Sequence, residues 1–423
     1  MCSPPGPLPR AHHLELSRSP TGRGAKSKVG YEMDFSPSLI SWNLTERCNL
    51  ACGHCYMDAS PIRANGELSE SECYRIIDEI AGLFPGAMLV LSGGEPLLHP
   101  DFLSIARRAA SHGLVIVVGT NGTLLTVDLA RQMAGYGVMG VGISVDSVEP
   151  RLHDSIRGMP GSWEQALSGV KAAQQAGLQV QIQATVMQAN RQEVPELVEM
   201  ASRMGVKAFN LFFLVCTGRG QKASDLSAAQ NEELLKELVE LQPKYPGLIV
   251  RARCAPHFVR LTGATDAGPG CMAGRTYCRI TPQGEVTPCP YLPVVVGNLR
   301  RESLAQVWNT SPHLLSLRLE SSKGKCHICE FTQSCGGCRA RAYVSSGDYM
   351  AEDPYCLYQP TGGLEAIKPI SIVWSPEARE RMEKAPVFVR SMAMRMVERY
   401  AREHGHSVIT LELMDELRRV SQR

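Results

Sequence analysis

Cys48-Asn49-Leu50-Ala51-Cys52-Gly53-His54-Cys55 sets three thiols at the spacing Cys-x3-Cys-x2-Cys, directly after the apolar run Leu39-Ile-Ser-Trp-Asn-Leu-Thr45. The run reads as a strand that ends in a loop. Three thiolates this close can wrap one small inorganic centre, but they cannot complete a four-thiolate shell. On a [4Fe–4S] cube they leave one iron open to a further ligand. Soft sulfur ligation selects iron–sulfur or zinc over hard cations. A structural zinc with a distant fourth ligand, or a disulfide cluster, are the other readings of the spacing alone.

The 423 residues suffice for a large core and more than one domain. A net charge of +2 gives no reason to expect a nucleic-acid or anionic-membrane surface. Residues 1–30 are rich in Pro, Gly, Ser, Arg and Lys and lack the apolar core of a signal peptide. No stretch is long and apolar enough to cross a bilayer. The 15 cysteines are therefore expected in a reducing, cytoplasmic setting, used as ligands.

Outward from the cysteine loop, short apolar runs alternate with amphipathic segments. Ser69 and Glu72 form a capping box ahead of a helix with Ile76, Ile77, Ile80, Leu83 and Phe84 as its stripe. Strands follow at 87–91, 114–119, 138–145, 178–187 and 207–214, separated by helices at 101–111, 127–134, 162–175 and 194–203. Six βα-like units with right-handed crossovers predict an α/β fold, an open partial (βα)6 barrel with its functional loops at the C-terminal strand ends. The expected division is a flexible segment 1–34, the partial barrel 35–235, a bridge and cysteine-rich domain 236–363, and a small helical unit 371–423.

Ser92-Gly93-Gly94-Glu95-Pro96 follows the second strand. Its glycines permit close backbone approach to a ligand, and its carboxylate could accept from an ammonium. Cys48-x3-Cys52-x2-Cys55 together with this Gly-Gly-Glu-Pro stretch resembles the signature of radical S-adenosylmethionine (SAM) enzymes. The resemblance implies that Gly93, Gly94 and Glu95 hold the SAM amino group and that Asn121 lines the cofactor pocket. It places Ser144 and Asp146 at the ribose and amine region and Arg157 at the SAM carboxylate. Thr185 and the loop from Cys216 to Gly220 would complete the adenosyl and substrate walls. The aromatic residue of such motifs precedes the last cysteine; here His54 holds that position and Tyr56 follows the cysteine.

A second cysteine-rich region reads Cys271-x6-Cys278-x10-Cys289, then Cys326-x2-Cys329-x5-Cys335-x2-Cys338-x17-Cys356. Eight thiols can fill two four-cysteine shells, and zinc knuckles tolerate the same shells. The long spacing resembles the SPASM extension of radical SAM enzymes, which holds two auxiliary [4Fe–4S] clusters and brings the total to three. The family order puts Cys271, Cys278, Cys289 and Cys338 on the first and Cys326, Cys329, Cys335 and Cys356 on the second. Cys335 to Cys338 is one residue shorter than usual, and Cys254 could replace Cys271. Cys254-Ala-Pro-His257 could donate a proton, bind a substrate-held metal or simply pack. Arg251, Arg253, His257 and Arg260 around it would suit a substrate bearing carboxylates.

Trp374-Ser-Pro-Glu-Ala378, Ala385–Arg390, Glu398–Arg402 and Ile409-Thr410 resemble the small helical domain of a light-independent protochlorophyllide reductase subunit. With the SPASM extension, the layout is similar to radical SAM enzymes of heme d1 and siroheme-dependent heme synthesis. That implies a tetrapyrrole substrate modified oxidatively at its propionate side chains, with reduced flavodoxin or ferredoxin as electron donor. The rivals are a peptide maturase, a tungsten-cofactor modifying protein, and a non-catalytic iron–sulfur scaffold or carrier.

Overall fold

The computed structural model describes residues 35–62, 65–262, 270–361, 373–384, 393–394, 397–398, 400–401 and 406–420. The expectation for residues 1–34 lies outside them. The chain alternates β1 (Leu39–Thr45), α1 (Glu70–Leu83), β2 (Met88–Gly93), α2 (Phe102–Ser111), β3 (Val115–Thr120), α3 (Val127–Gly135) and β4 (Val138–Ser144). It continues through α4 (Pro150–Arg157), α5 (Ser162–Gln175), β5 (Gln179–Val186), α6 (Val194–Arg203), β6 (Ala208–Phe213), α7 (Ala228–Leu241) and β7 (Ile249–Arg253). Strands β1 to β7 pair in sequence order and in parallel. This is the partial βα barrel that the sequence predicts, extended at both edges.

One extension is β7. The other is β8 (Tyr277–Ile280), which returns to pair parallel with β1 and carries β9 (Glu285–Thr287) and β10 (Gly297–Asn298) antiparallel beside it. The cysteine-rich domain therefore continues the barrel's own sheet. Helix α1 begins as its sequence demands, with the Ser69 hydroxyl and the Glu72 carboxylate each capping the other's backbone.

Each strand alternates. Ile40, Trp42, Leu89, Leu91, Ile116, Val118, Val141, Ile143, Val180, Ile182, Phe209 and Leu211 are buried in one apolar layer beneath the helices. Full burial of such a side chain stabilises the fold by about 1.5–3 kcal/mol. The opposite strand face carries Ser41, Asn43, Ser92, Ser144, Gln181, Gln183, Asn210, Arg251, Arg253, Tyr277 and Arg279. Complete barrels fill their interiors with Val, Ile and Leu. The face also carries Val90, Val117 and Phe212, but its polar majority suits it to line a binding chamber more than to pack as a core.

Trp374, Ala378, Met382, Val397, Tyr400, Ala401, Ile409 and Leu413 form a separate small core. Its two short parallel strands, Val373–Trp374 and Val408–Ile409, pair with each other. Among the described residues, no helix is long and apolar enough to cross a membrane.

Candidate active site and thiol centres

The cysteine loop leaves the C-terminal end of β1 and is pinned from three sides. Ala51 and Gly53 donate to the carbonyls of Arg157 and Ile156 at the end of α4, at 3.1 and 2.9 Å, and Cys48 N–H donates to Ser60 O at 2.7 Å. Arg219 donates through Nε to Cys52 O and through Nη1 to Ala59 O, both at 2.9 Å. The loop at 216–220, expected as a substrate wall, thus serves as a clamp on the thiol loop. Gly218 permits the approach, since a Cβ there would stand 2.6 Å from Cys55 O.

Cys48, Cys52 and Cys55 bear electrostatically on one another. Burial pushes the Cys48 thiol up to about 12, so it would not ionise at neutral pH without a nearby positive charge. Donors stand at the sulfurs: Leu50 N–H at 3.4 Å from Cys48 Sγ and Arg157 Nη1 at 3.8 Å from Cys52 Sγ. A positively charged iron centre that ionises the thiols fits this donor set.

The Gly93-Gly94 turn presses on the start of the loop. A Cβ would lie 2.4 Å from Thr45 O at Gly93, where φ is +143°, and 2.4 Å from Arg47 O at Gly94. Glu95 is fully buried and its carboxylate is engaged by the protein. Its Oε1 accepts from Thr120 Oγ1 at 2.8 Å and Leu97 N–H at 3.2 Å, and its Oε2 accepts from Asn121 N–H at 2.8 Å. Burial raises its carboxyl to about 7, against those three donors. The side chain ties the turn to β3, and the motif presents backbone outward. Asn121 continues the network, donating to Asn49 Oδ1 at 2.9 Å.

Asp146 and Arg157 meet each other first, at 2.7 Å, with Asp146 fully buried. Burial alone would raise the Asp146 carboxyl, but Arg157 and His54 outweigh it and hold it below its usual value. Asp146 Oδ1 accepts from Thr185 N–H at 2.8 Å. Asn190, absent from the sequence reading, locks this corner by donating to Asp146 O and Thr185 O at 2.8 and 2.9 Å. His54 Nε2 lies 3.8 Å from Asp146 Oδ2. His54 therefore packs inside the loop, whereas Tyr56 turns into the chamber and meets Tyr291 edge-on at 5.1 Å. Ser144 sits half-buried at the C-terminal end of β4, on the chamber face.

Cys326, Cys329, Cys335 and Cys356 line one cavity together with Phe331 and Tyr358. Of the set expected for the other auxiliary site, Cys271, Cys289 and Cys338 come together and Cys278 stands apart. Cys278 is fully buried in the main core on the helix-facing side of β8, and the one charge that bears on its thiol is Arg318. Cys254 instead has Cys338, Cys289 and Cys271 as electrostatic neighbours. Cys254 has φ +60°, a left-handed conformation that a non-glycine residue adopts at a cost. The alternation in Tyr277-Cys278-Arg279-Ile280 was the available signal: it puts Cys278 with Ile280 in the core and Tyr277 with Arg279 in the chamber.

His257 does not reach the chamber. It is 1 % exposed and lies 3.8 Å from Asp353 Oδ2 behind Cys338, and burial lowers its imidazole to about 4. Arg260 pairs with Glu232 and stacks on Tyr358. A supporting layer that sequence reasoning missed joins the two auxiliary sites. Asp353 Oδ2 accepts from Cys338 N–H at 2.8 Å, and Arg341 donates to Cys254 O at 2.9 Å while lying over the Tyr355 ring.

Comparisons with known proteins agree with this arrangement. Residues 42–201 match the radical SAM superfamily, residues 271–338 the SPASM iron–sulfur cluster-binding domain, and residues 374–418 the protochlorophyllide reductase 57 kD subunit. The AdoMet-dependent heme synthase of Methanosarcina barkeri is 39% identical over 345 residues, 78% of this chain and 98% of that protein. The pre-heme d1 synthase of Dinoroseobacter shibae is 32% identical over 382 residues, 83% of this chain and 94% of that protein. Streptococcus suis SuiB bound to S-adenosylmethionine shares the fold, with a TM-score of 0.65 at 17% identity over 76% of this chain and 78% of that one. The chain belongs to the radical SAM enzymes with a SPASM auxiliary iron–sulfur domain, in the family of the AdoMet-dependent heme synthases and pre-heme d1 synthases, and it carries a protochlorophyllide-reductase-like C-terminal segment.

Proposed function

We propose that this enzyme modifies propionate side chains of a tetrapyrrole, in heme d1 or siroheme-dependent heme biosynthesis. The observation that carries the reading is kinship along nearly the whole length of a heme synthase, joined to the protochlorophyllide-reductase-like segment. The polar chamber between the thiol loop and the first auxiliary site supports it.

Cys48, Cys52 and Cys55 would hold the SAM-binding [4Fe–4S] cluster. When bound and reduced, that cluster supplies the electron that splits SAM into methionine and a 5′-deoxyadenosyl radical. In this reading Gly93, Gly94, Asn121, Ser144 and Thr185 border SAM, Glu95 braces the turn, and Arg157 with Asp146 sets charge beside Cys52. Cys254, Cys271, Cys289 and Cys338 would hold one auxiliary [4Fe–4S] cluster and Cys326, Cys329, Cys335 and Cys356 the other, three in all. The deoxyadenosyl radical would take a hydrogen atom from a propionate β-carbon, and decarboxylation of the resulting radical to vinyl would release carbon dioxide and pass one electron to an auxiliary cluster; side-chain removal and lactone formation are the other outcomes of the same start. Reduced flavodoxin or ferredoxin would be the electron donor, in the cytoplasm.

The test is an anaerobic reaction of reconstituted, reduced protein with SAM and either siroheme-derived tetrapyrroles or iron-coproporphyrin, read by mass spectrometry. Substrate-dependent 5′-deoxyadenosine with a defined mass loss on the macrocycle is expected. Deoxyadenosine with every tetrapyrrole unchanged would move the assignment to a peptide or tungsten-cofactor substrate.

A further inference from the structure

Most arginines buried in this fold meet a carboxylate or a set of carbonyls. Arg157 pairs with Asp146, Arg260 with Glu232, and Arg341 with Asp353 and two carbonyls. Arg318 donates to Gly274 O and Trp308 O. Among the described residues the half-buried pair on β7 does not, and neither does Arg275, which lies over Phe35. Val250 belongs to the apolar layer and Ala252 packs against it, so Arg251 and Arg253 face the chamber. Among the described residues neither meets a carboxylate: burial alone acts on Arg251, and the charges that bear on Arg253 are Arg251, Cys254 and Tyr277.

Asn210 Oδ1 accepts from Arg253 Nε at 3.1 Å, which orients the guanidinium. Its two terminal nitrogens have no protein acceptor among the described residues. Two like charges on neighbouring positions of one strand face repel each other. Two arginines on one strand face, without a carboxylate among the described residues, are left to be balanced by something that enters. The Cys254 thiolate next door could answer for Arg253. It does not answer for Arg251, which lies a full strand repeat deeper and does not register that thiol. Across the chamber, Tyr277 and Tyr291 offer flat apolar faces close to Cys254. Such a layout suits a ligand with a flat body and carboxylates at its rim, because the arginine fork matches a carboxylate bidentately.

We propose that Arg251 and Arg253 form a carboxylate clamp that anchors non-reacting propionates of the macrocycle, and so set how the substrate is turned in the chamber. The proposal rests on the tetrapyrrole reading above. Its test is equilibrium binding, under anaerobic conditions, to the cluster-loaded full chain, followed by the absorbance of the macrocycle. The probes are iron-coproporphyrin and its tetramethyl ester, and the proteins are wild type, R251Q, R253Q and R253K, with iron content checked for each.

The wild type is expected to favour the free acid over the ester. Each Gln variant should weaken acid binding by about tenfold to a hundredfold, the scale of a lost charge-assisted hydrogen bond, and leave ester binding alone. R253K should recover part of the loss. Equal binding of acid and ester by the wild type would overturn the clamp and leave the tetrapyrrole reading standing. Binding of neither would overturn that reading and the clamp with it. A variant that shifts only the reduction potential of the auxiliary centre, with acid binding intact, would show that the arginines serve the thiolates and would equally overturn the clamp.

Discussion

Exchanging Cys254 for Cys278 in the first auxiliary set has opposite consequences for two single substitutions. Cys278→Ala deletes a thiol inside the packed core between β8 and the helices, where Arg318 is the one charge that bears on it. It should cost about 1 kcal/mol of stability, the scale of one lost buried group, and leave iron content unchanged. Cys254→Ala removes one of four gathered thiols. On the proposed three four-iron centres the wild type would carry about twelve iron atoms, and this variant should fall toward about eight. Cys254→Gly adds a separate readout. It relieves the left-handed backbone at φ +60°. The cluster-free protein should therefore gain about 1 kcal/mol while iron is lost. Iron and sulfide per monomer after anaerobic reconstitution, with denaturant unfolding of the cluster-free chain, measure both quantities. Full iron in Cys254→Ala together with a missing centre in Cys278→Ala would refute the reasoning.

Gly94→Ala should empty the SAM-cluster site while sparing both auxiliary centres, since its Cβ would meet Arg47 O at 2.4 Å; iron content and the spectrum of the reduced protein report this. Asp146→Asn leaves Arg157 buried without its counter-ion and should destabilise the chain by about 3–5 kcal/mol; Asp146→Asn with Arg157→Gln should cost less than the two single losses added, and strict additivity in denaturant melts would count against a coupled pair. Burial, helped by Arg157, lowers His153 from 6.5 to about 4, so its stabilising contribution is fully present above pH 6.5 and is lost as pH falls toward 4. The loss amounts to about 3 kcal/mol, and His153→Gln should flatten that part of the stability–pH curve. Arg219→Ala frees the carbonyls of Cys52 and Ala59 and should speed iron loss to a chelator from the SAM-cluster site.

The central barrel was legible because its signals are local. Apolar runs, the Ser69–Glu72 box and the three-cysteine loop each act within a few residues of chain. The edges were not. Ile249-Val-Arg-Ala-Arg253 has two arginines in five residues and reads as a polar loop until β6 supplies its partner strand and the chamber face takes its arginines. Tyr277–Ile280 is short, and it becomes a strand by pairing with β1, far away in sequence. Site residues followed the same rule. Motif spacing gathered the thiols that lie close in sequence, but Cys254 and Cys278 compete across a sheet whose edge was not foreseen. Glu95 and Asp146 follow β2 and β4, and Arg157 ends α4. Glu95 turns to Thr120 and Asn121 while Asp146 and Arg157 meet each other, and these pairings depend on side-chain direction and not on order in the chain.

Cys335 and Cys338 stand two glycines apart and face different groups of thiols, one in the cavity with Cys326 and the other beside Cys271, which would hold the two proposed auxiliary centres. Gly336 and Gly337 make the reversal with φ of +68° and +61°, and Cys271 N–H bonds to Cys335 O at 2.9 Å. During maturation, orienting one thiol for its own centre fixes the direction of the other. The two centres should then fill as one event: chains loaded with a single auxiliary centre should be scarce throughout a stepwise iron titration, and a chain that turns this hairpin wrongly forfeits both.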